Sequence, residues 1–268
     1  LMQKRTDSAA RDEIGLSVSD LGHGEVGHFL DQAVRATSCV KELFSRTKSV
    51  SPLLSPEDIK IDLDKNAHEV YESFFNDSEF PLISEESEGV DSQSRPDLTG
   101  FRWVVDPIDG SYNLWRGLPF VSTSISLTLD GFPLLGVIRN LVNDDLYLGG
   151  VGYPAHKNHQ STTTSRLTNR SQAALATGIP RGKTLQGCVA SLGSEQLADF
   201  GKIRMLGSAS LSLCLLSEGV VDCYYESGIF LWDVAAGIAI AQSAGAEVRI
   251  AMREGFRCDA KALSTPNL

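Results

Sequence analysis

Between Asp20 and Arg46 apolar residues recur every three to four positions. Val26, Phe29, Leu30, Ala33, Val34, Val40, Leu43 and Phe44 share one side of a helical wheel, which predicts an amphipathic helix. The Ser- and Pro-rich stretch Thr47 to Glu57 reads as a loop. A second helix is predicted over Asp64 to Asn76, with Ala67, Val70, Tyr71 and Phe74 on one face, and a short strand over Pro81 to Ser84. From Phe120 to Leu129 the pattern changes to strict alternation, a strand with one apolar face. Gly131 to Arg139 and Asp145 to Leu148 continue an antiparallel meander, and the polar run Gly152 to Ser165 reads as irregular, the best place for a lobe boundary.

The second half alternates strands with helices. Ala173 to Thr177, Ile203 to Met205 and Val220 to Tyr225 read as strands. Gln186 to Phe200, Ser208 to Ser217 and Trp232 to Gly245 read as helices. This order implies an α/β lobe. The expectation is a layered α/β protein: an α+β lobe over residues 1–155, an α/β lobe over residues 156–268, and a cleft between them in one structural unit.

The chain has 268 residues, 42% of them hydrophobic, enough for a buried core. Its net charge of −10 argues against a general affinity for nucleic acid, which needs a basic surface. An anionic substrate remains possible if metal ions reverse the local field. Five widely spaced cysteines without a Cys-x-x-Cys fit a reduced cytoplasmic protein, with Cys214 and Cys223 as core residues. His156 and His159 fall in the polar run and are expected to face solvent. No apolar run approaches a membrane span, and Leu1 to Ser19 lacks the apolar centre of a secretory signal.

The densest chemistry lies in Trp103-Val104-Val105-Asp106-Pro107-Ile108-Asp109-Gly110-Ser111-Tyr112-Asn113. A buried strand, Phe101 to Val105, is expected to end here, because Pro107 cannot extend a hydrogen-bonded ladder. Two carboxylates about 4 Å apart repel by roughly 4 kcal/mol at an intermediate dielectric. A divalent cation between them removes that cost. Gly110 and Ser111 then offer backbone N–H groups and a hydroxyl to a phosphate. Glu85, at the end of another short strand, can complete a cation site. Asp233, at the start of a helix, is oriented by the positive end of that helix. Glu226 can accept hydrogen bonds from sugar-like hydroxyls.

The segment around Asp106 resembles the first signature of the inositol monophosphatase family, Trp-x-x-Asp-Pro-Ile-Asp-Gly-Thr-x-Asn, with Ser111 in place of Thr. Leu82-Ile83-Ser84-Glu85-Glu86-Ser87 resembles the family's Gly-Glu-Glu-Ser element, with Ser84 in place of Gly. Trp232-Asp233-Val234-Ala235-Ala236-Gly237 resembles its second signature. The likeness runs from about Asp64 to Gly245, and the last twenty residues match little.

The resemblance implies the αβαβα sandwich of inositol monophosphatases and fructose bisphosphatases. It also implies Mg²⁺-dependent hydrolysis of a phosphate monoester. Glu85, Asp106, Asp109, Asp233 and the Ile108 carbonyl would hold two or three Mg²⁺. Glu85, Ser111 and Asp64 would activate and orient water, and Asp109, Gly110, Ser111, Gly207, Ser208, Ala209 and Glu226 would hold the substrate. Glu226, seven positions before Asp233, leans the substrate towards inositol phosphate. The family further implies lithium sensitivity, a homodimer, and a small phosphorylated polyol or sugar as partner; charge and hydropathy argue against nucleic acid and membrane. The alternatives are the same chemistry on fructose 1,6-bisphosphate, histidinol phosphate or 3′-phosphoadenosine 5′-phosphate, and a metal-binding regulatory protein on the same scaffold.

Overall fold

Two sheets organise the chain, described here from a computed structural model over residues 23–47, 62–87, 97–192 and 199–268. Helices α1 (His23–Arg46) and α2 (Asp62–Phe75) come first. The first sheet follows in simple spatial order: β1 (Leu82–Ser84), β2 (Phe101–Asp109), β3 (Ser122–Leu129), β4 (Phe132–Asn140), β5 (Leu146–Gly150), β6 (Tyr153–Lys157) and β7 (Gln160–Ser161). β1 runs parallel to β2, and the later pairs are antiparallel. A short helix, α3 (Ser111–Arg116), links β2 to β3.

The second sheet holds β8 (Ala174–Ala176), β9 (Lys202–Arg204), β10 (Cys223–Phe230), β11 (Glu247–Met252) and β12 (Arg257–Leu263), in the order β11-β12-β10-β8-β9. Its helices are α4 (Leu185–Leu192), α5 (Ala209–Ser217) and α6 (Leu231–Ser243).

The elements stack as layers because each sheet must cover its apolar faces. On the outer face of the first sheet, Leu30, Ala33 and Val40 of α1 and Ala67 and Tyr71 of α2 close over Trp103, Val105, Ile125 and Leu127. Helices α5 and α6 lie between the sheets. Ala236 and Ile240 meet Ile138 and Tyr147 of the first sheet, while Val234, Ile238 and Ala241 meet Tyr224, Cys258 and Ala260 of the second. α4 lies on β10. The result is the expected αβαβα order.

Four expectations change. The polar run after Gly152 is not irregular: it forms β6 and β7, so the first sheet extends to Ser161 and residue 155 falls inside a strand. There His156 is only half-buried and its ring nitrogens meet the Pro154 carbonyl and the Ser161 hydroxyl. The chain beyond Gly245 forms β11 and β12, both paired in the second sheet. Pro107 does not stop β2; pairing resumes at Asp109↔Ser122 after a one-residue bulge that accommodates the proline. Finally, β3 has no solvent face. Ser122, Ser124 and Ser126 are as buried as Ile125 and Leu127, because the central helices pack against the serine side.

The predicted loop over residues 48–57 and the far end of the predicted Gln186 helix, residues 193–198, lie outside the described residues. Cys188, Cys214, Cys223 and Cys258 are buried and Cys39 is exposed, all as free thiols. Among the described residues no helix is long and apolar enough to cross a membrane.

Candidate active site and metal centre

The parallel pairing of β1 with β2 sets the site. Ser84 stands opposite Val105, so the residues that follow both strands emerge at one edge. The Glu85 N–H donates to the Val105 carbonyl (3.4 Å) and holds Glu85 beside Asp106. Asp106 is fixed by its own turn: its Oδ1 accepts the Ile108 N–H (3.1 Å) inside the bulge. Asp233 arrives from the opposite layer as the third residue of α6, in the first turn of the helix rather than at its cap, which is Phe230. One carboxylate oxygen each from Glu85, Asp106 and Asp233 lie within 4.8 Å of one another.

Asp109 stands beside this triad and is seated on the N-terminus of α5. Its Oδ2 accepts the Ser208 hydroxyl (2.6 Å), the Ser210 hydroxyl (2.5 Å) and the Ser210 N–H (2.9 Å). Ser208 is also the N-cap of α5, accepting from the Leu211 N–H at 3.2 Å. Substrate candidates Gly207, Ser208 and Ala209 therefore sit where a helix end meets a ligand carboxylate. Gly110 takes the left-handed backbone (φ 89°) that turns β2 into α3. The Ser111 hydroxyl behind it is placed between Asp64 Oδ1 (3.2 Å) and the Ile108 carbonyl (3.0 Å). Asp64, in the first turn of α2, is buried and reaches the site through Ser111. The structure thus brings the predicted residues together, with Asp109, Asp64 and Glu226 flanking the tightest triad.

The electrostatics are those of a site built for cations. Burial first, then the neighbouring Glu85, Asp109, Asp233 and Asp64 carboxylates, pushes Asp106 well above the ordinary carboxylate range. Asp233 is raised in the same way by burial and by Glu85 and Asp109, with the Phe230 N–H opposing. Asp109 is raised by burial and held back by its bonds to Ser208 and Ser210. Hard carboxylate oxygens crowded against one another fit a hard divalent ion, which would relieve the repulsion that raises them. Histidine and thiol ligands are absent from the described cluster.

Glu226 lies buried on β10 rather than exposed at a strand end. Burial drives its carboxyl up to about 8, with the neighbouring Tyr224 hydroxyl opposing and a further push from Asp109. An unfolded glutamate ionises near 4.5. Its folded pKa is raised, so its favourable contribution holds below pH 4.5 and is lost as pH climbs towards 8. Glu226→Gln should therefore stabilise the chelated protein by on the order of 3 kcal/mol at pH 8, and the two melting curves should converge below pH 4.5. Equal melting temperatures at pH 8 would show that the carboxylate is solvated.

Two groups were not picked out from sequence. Ser210 donates to Asp109 and shares a 2.7 Å contact with Ser122 across the layers. Asn113 is buried and its amide donates to the Phe120 carbonyl (2.9 Å) and the Leu206 carbonyl (2.8 Å), tying the two halves together. Asn113 stands in the first signature, but its partners are supplied by distant residues.

Comparison with known proteins agrees with this geometry. A sequence model of the inositol monophosphatase family matches residues 25–267. The chain belongs to the inositol monophosphatase family. The match includes β11 and β12, beyond the Gly245 limit expected from the signatures. A tomato relative named inositol monophosphatase 3 is 33% identical over 237 residues, covering 83% of this chain and 86% of that one. An inositol-1-monophosphatase of Mycobacterium leprae is 32% identical over 178 residues, 65% of this chain and 61% of the relative, so the chain spans under two thirds of that protein's length. Among solved structures, the extragenic suppressor protein suhB of Bartonella henselae aligns with a TM-score of 0.71 at 29% identity, covering 86% of this chain and 92% of that one. The family's two signatures fall on β2–α3 and on the start of α6, which are the two layers that meet at the carboxylate triad.

Proposed function

We propose that the chain is a Mg²⁺-dependent phosphate monoester hydrolase acting on a small phosphorylated polyol, with an inositol monophosphate as the leading substrate. The observation that carries this reading is the convergence of Glu85, Asp106 and Asp233 from two strand ends and a helix start. Glu85, Asp106, Asp109, Asp233 and the Ile108 carbonyl would hold two or three Mg²⁺. Bound there, the metal supplies charge neutralisation for the phosphate and acidity for a water molecule.

The chain's own groups do the positioning. The Ser111 hydroxyl, shared between Asp64 and the Ile108 carbonyl, can give its proton to one of them while its lone pair accepts from the attacking water. Asp64 or Glu85 then takes the proton that the water releases. The α5 terminus at Gly207, Ser208 and Ala209 and the N–H groups after Gly110 face the anionic end of the ester. Glu226, largely protonated at neutral pH, can both donate to and accept from substrate hydroxyls. Catalysis of this kind is positioning plus charge stabilisation, without a covalent intermediate.

The same reading carries lithium inhibition, a cytoplasmic setting and a homodimer. Support for self-association comes from exposed Tyr112, Trp115 and Leu118 around α3 and exposed Ile203 and Met205 on and beside the edge strand β9.

The test is phosphate release from myo-inositol 1-phosphate, fructose 1,6-bisphosphate, histidinol phosphate and 3′-phosphoadenosine 5′-phosphate, with and without Mg²⁺. We expect release that requires Mg²⁺ and is fastest for a polyol or sugar ester. Release that persists in excess chelator would overturn the metal assignment. Failure on every ester, with Mg²⁺ bound, would favour a regulatory protein.

A further inference from the structure

Asp109 is held from two layers at once, and the hold falls on one of its oxygens. Ser122 stands opposite it in the β2–β3 ladder, at the pair where the ladder resumes after the bulge. Ser210 reaches it from α5, in the next layer. The Ser122 and Ser210 hydroxyls meet at 2.7 Å, so β2, β3 and α5 close a ring of contacts around the carboxylate. Asp109, Ser122, Ser208 and Ser210 are all buried, and bulk water cannot replace a missing partner there.

The protons in this ring have one arrangement when the carboxylate is ionised. A carboxylate only accepts, so Ser210 must give its single hydroxyl proton to Asp109 Oδ2 (2.5 Å). The Ser122 hydroxyl must then donate to Ser210. Oδ2 also accepts the Ser208 hydroxyl (2.6 Å) and the Ser210 N–H (2.9 Å), with the Ala209 N–H close by. A carboxylate oxygen has about two lone-pair directions, and three donors already crowd them. Oδ2 has no capacity left for a cation. The ring leaves Asp109 one oxygen, Oδ1, with which to serve as a ligand.

That restriction separates two hard cations. Mg²⁺ takes about six oxygens at about 2.0–2.1 Å in near-ideal octahedral geometry, whereas Ca²⁺ takes about six to eight at about 2.3–2.6 Å and often uses both oxygens of a carboxylate. A carboxylate pinned through Oδ2 cannot turn both oxygens to one ion, and its three hydrogen bonds resist the adjustment that a larger ion needs. We propose that Ser210, backed by Ser122, makes the site select Mg²⁺ over Ca²⁺ by confining Asp109 to one ligand oxygen. Both serines are positioning residues that act through Asp109. This rests on the metal-dependent reading above, in which Asp109 is a ligand.

Isothermal titration of the metal-stripped full chain with MgCl₂ and with CaCl₂ reads the choice directly, without substrate. Ser210→Ala should raise the ratio of Ca²⁺ to Mg²⁺ affinity roughly tenfold, the scale of one charge-assisted hydrogen bond. Ser210→Cys, close in size but a weak donor, should do the same. Ser122→Ala should move the ratio the same way by less, because the bond from Ser210 to Asp109 survives. Ser210→Thr keeps the hydroxyl and should hold the wild-type ratio. Should Ser210→Ala fail to fold, Ser210→Cys and Ser122→Ala carry the test. A ratio unchanged in the folded Ser210 variants that lack the hydroxyl overturns the assignment, even if both ions bind more weakly. So does a ratio that moves as far in Ser210→Thr as in Ser210→Cys, since packing would then be the cause. A folded wild type that binds neither ion overturns the metal-dependent reading itself, which is a different result from binding without selection.

Discussion

Asp106→Asn should lower Mg²⁺-dependent turnover by at least about a thousandfold while leaving the fold intact, because several kcal/mol of charge stabilisation would leave with the ligand. Asparagine keeps an Oδ1 that can accept the Ile108 N–H, so the bulge of β2 has its local hydrogen bond. The same substitution has a second, opposite signature. In the chelated wild type, Asp106 is raised by burial and by the Glu85, Asp109, Asp233 and Asp64 carboxylates. A carboxyl with a raised folded pKa contributes stability at low pH and loses it as pH rises through that pKa. At neutral pH the wild type therefore carries a penalty that asparagine lacks. In chelator at pH 7.5 the variant should melt above the wild type. In excess Mg²⁺ the order should reverse, since binding to the native state stabilises only the protein that retains the ligand. Thermal melts in the two buffers check both halves. A variant that melts below the wild type in chelator would show that the carboxylate is structural rather than poised for a cation.

Gly136→Ala should destabilise the protein by about 3 kcal/mol, with a fall in melting temperature of roughly 9 °C. Gly136 sits on β4 directly beneath α6. A Cβ there would lie 2.6 Å from the Ala236 Cα and closer still to its carbonyl oxygen. Both obstacles are backbone, so no side-chain rotation relieves the overlap. The strand and the helix can separate only by moving the element that carries Asp233. Activity should therefore fall along with stability, and extra Mg²⁺ should recover part of both. An unchanged denaturation midpoint would mean that α6 does not pack at this distance.

These two positions mark the limits of reading the chain as a string. The carboxylates were legible because their chemistry is local: Asp106, Asp109 and the Ser111 hydroxyl share one bulge and one turn, and Pro107 and Gly110 announce both. Most helices and strands were legible because their periods are local as well, while the αβαβα layer order came from the family resemblance. Glu226 was read as a site residue from its distance to Asp233, whereas its burial and raised carboxyl come from β10 lying inside the second sheet, and no sequence spacing encodes that.

The misreadings have one physical origin. Alternation along β3 signals two chemically different faces, and it does not say what covers the polar one. Here Ser122 meets Ser210, and Ser124 approaches the Trp232 carbonyl at 3.5 Å, because small hydroxyl side chains let α5 and α6 come close to the sheet. The polar run after Gly152 became β6 and β7 because strands at the end of a sheet can satisfy their backbone by pairing while many of their side chains stay wet. The sequence by itself determined the turn that presents Asp106, Asp109 and Ser111, since those residues and the Pro107 and Gly110 that shape it stand in neighbouring positions. Only the tertiary structure decided that Asp233 and Glu226 face the Asp106 and Asp109 carboxylates across the layers. Those distances depend on how closely two sheets pack on the helices between them.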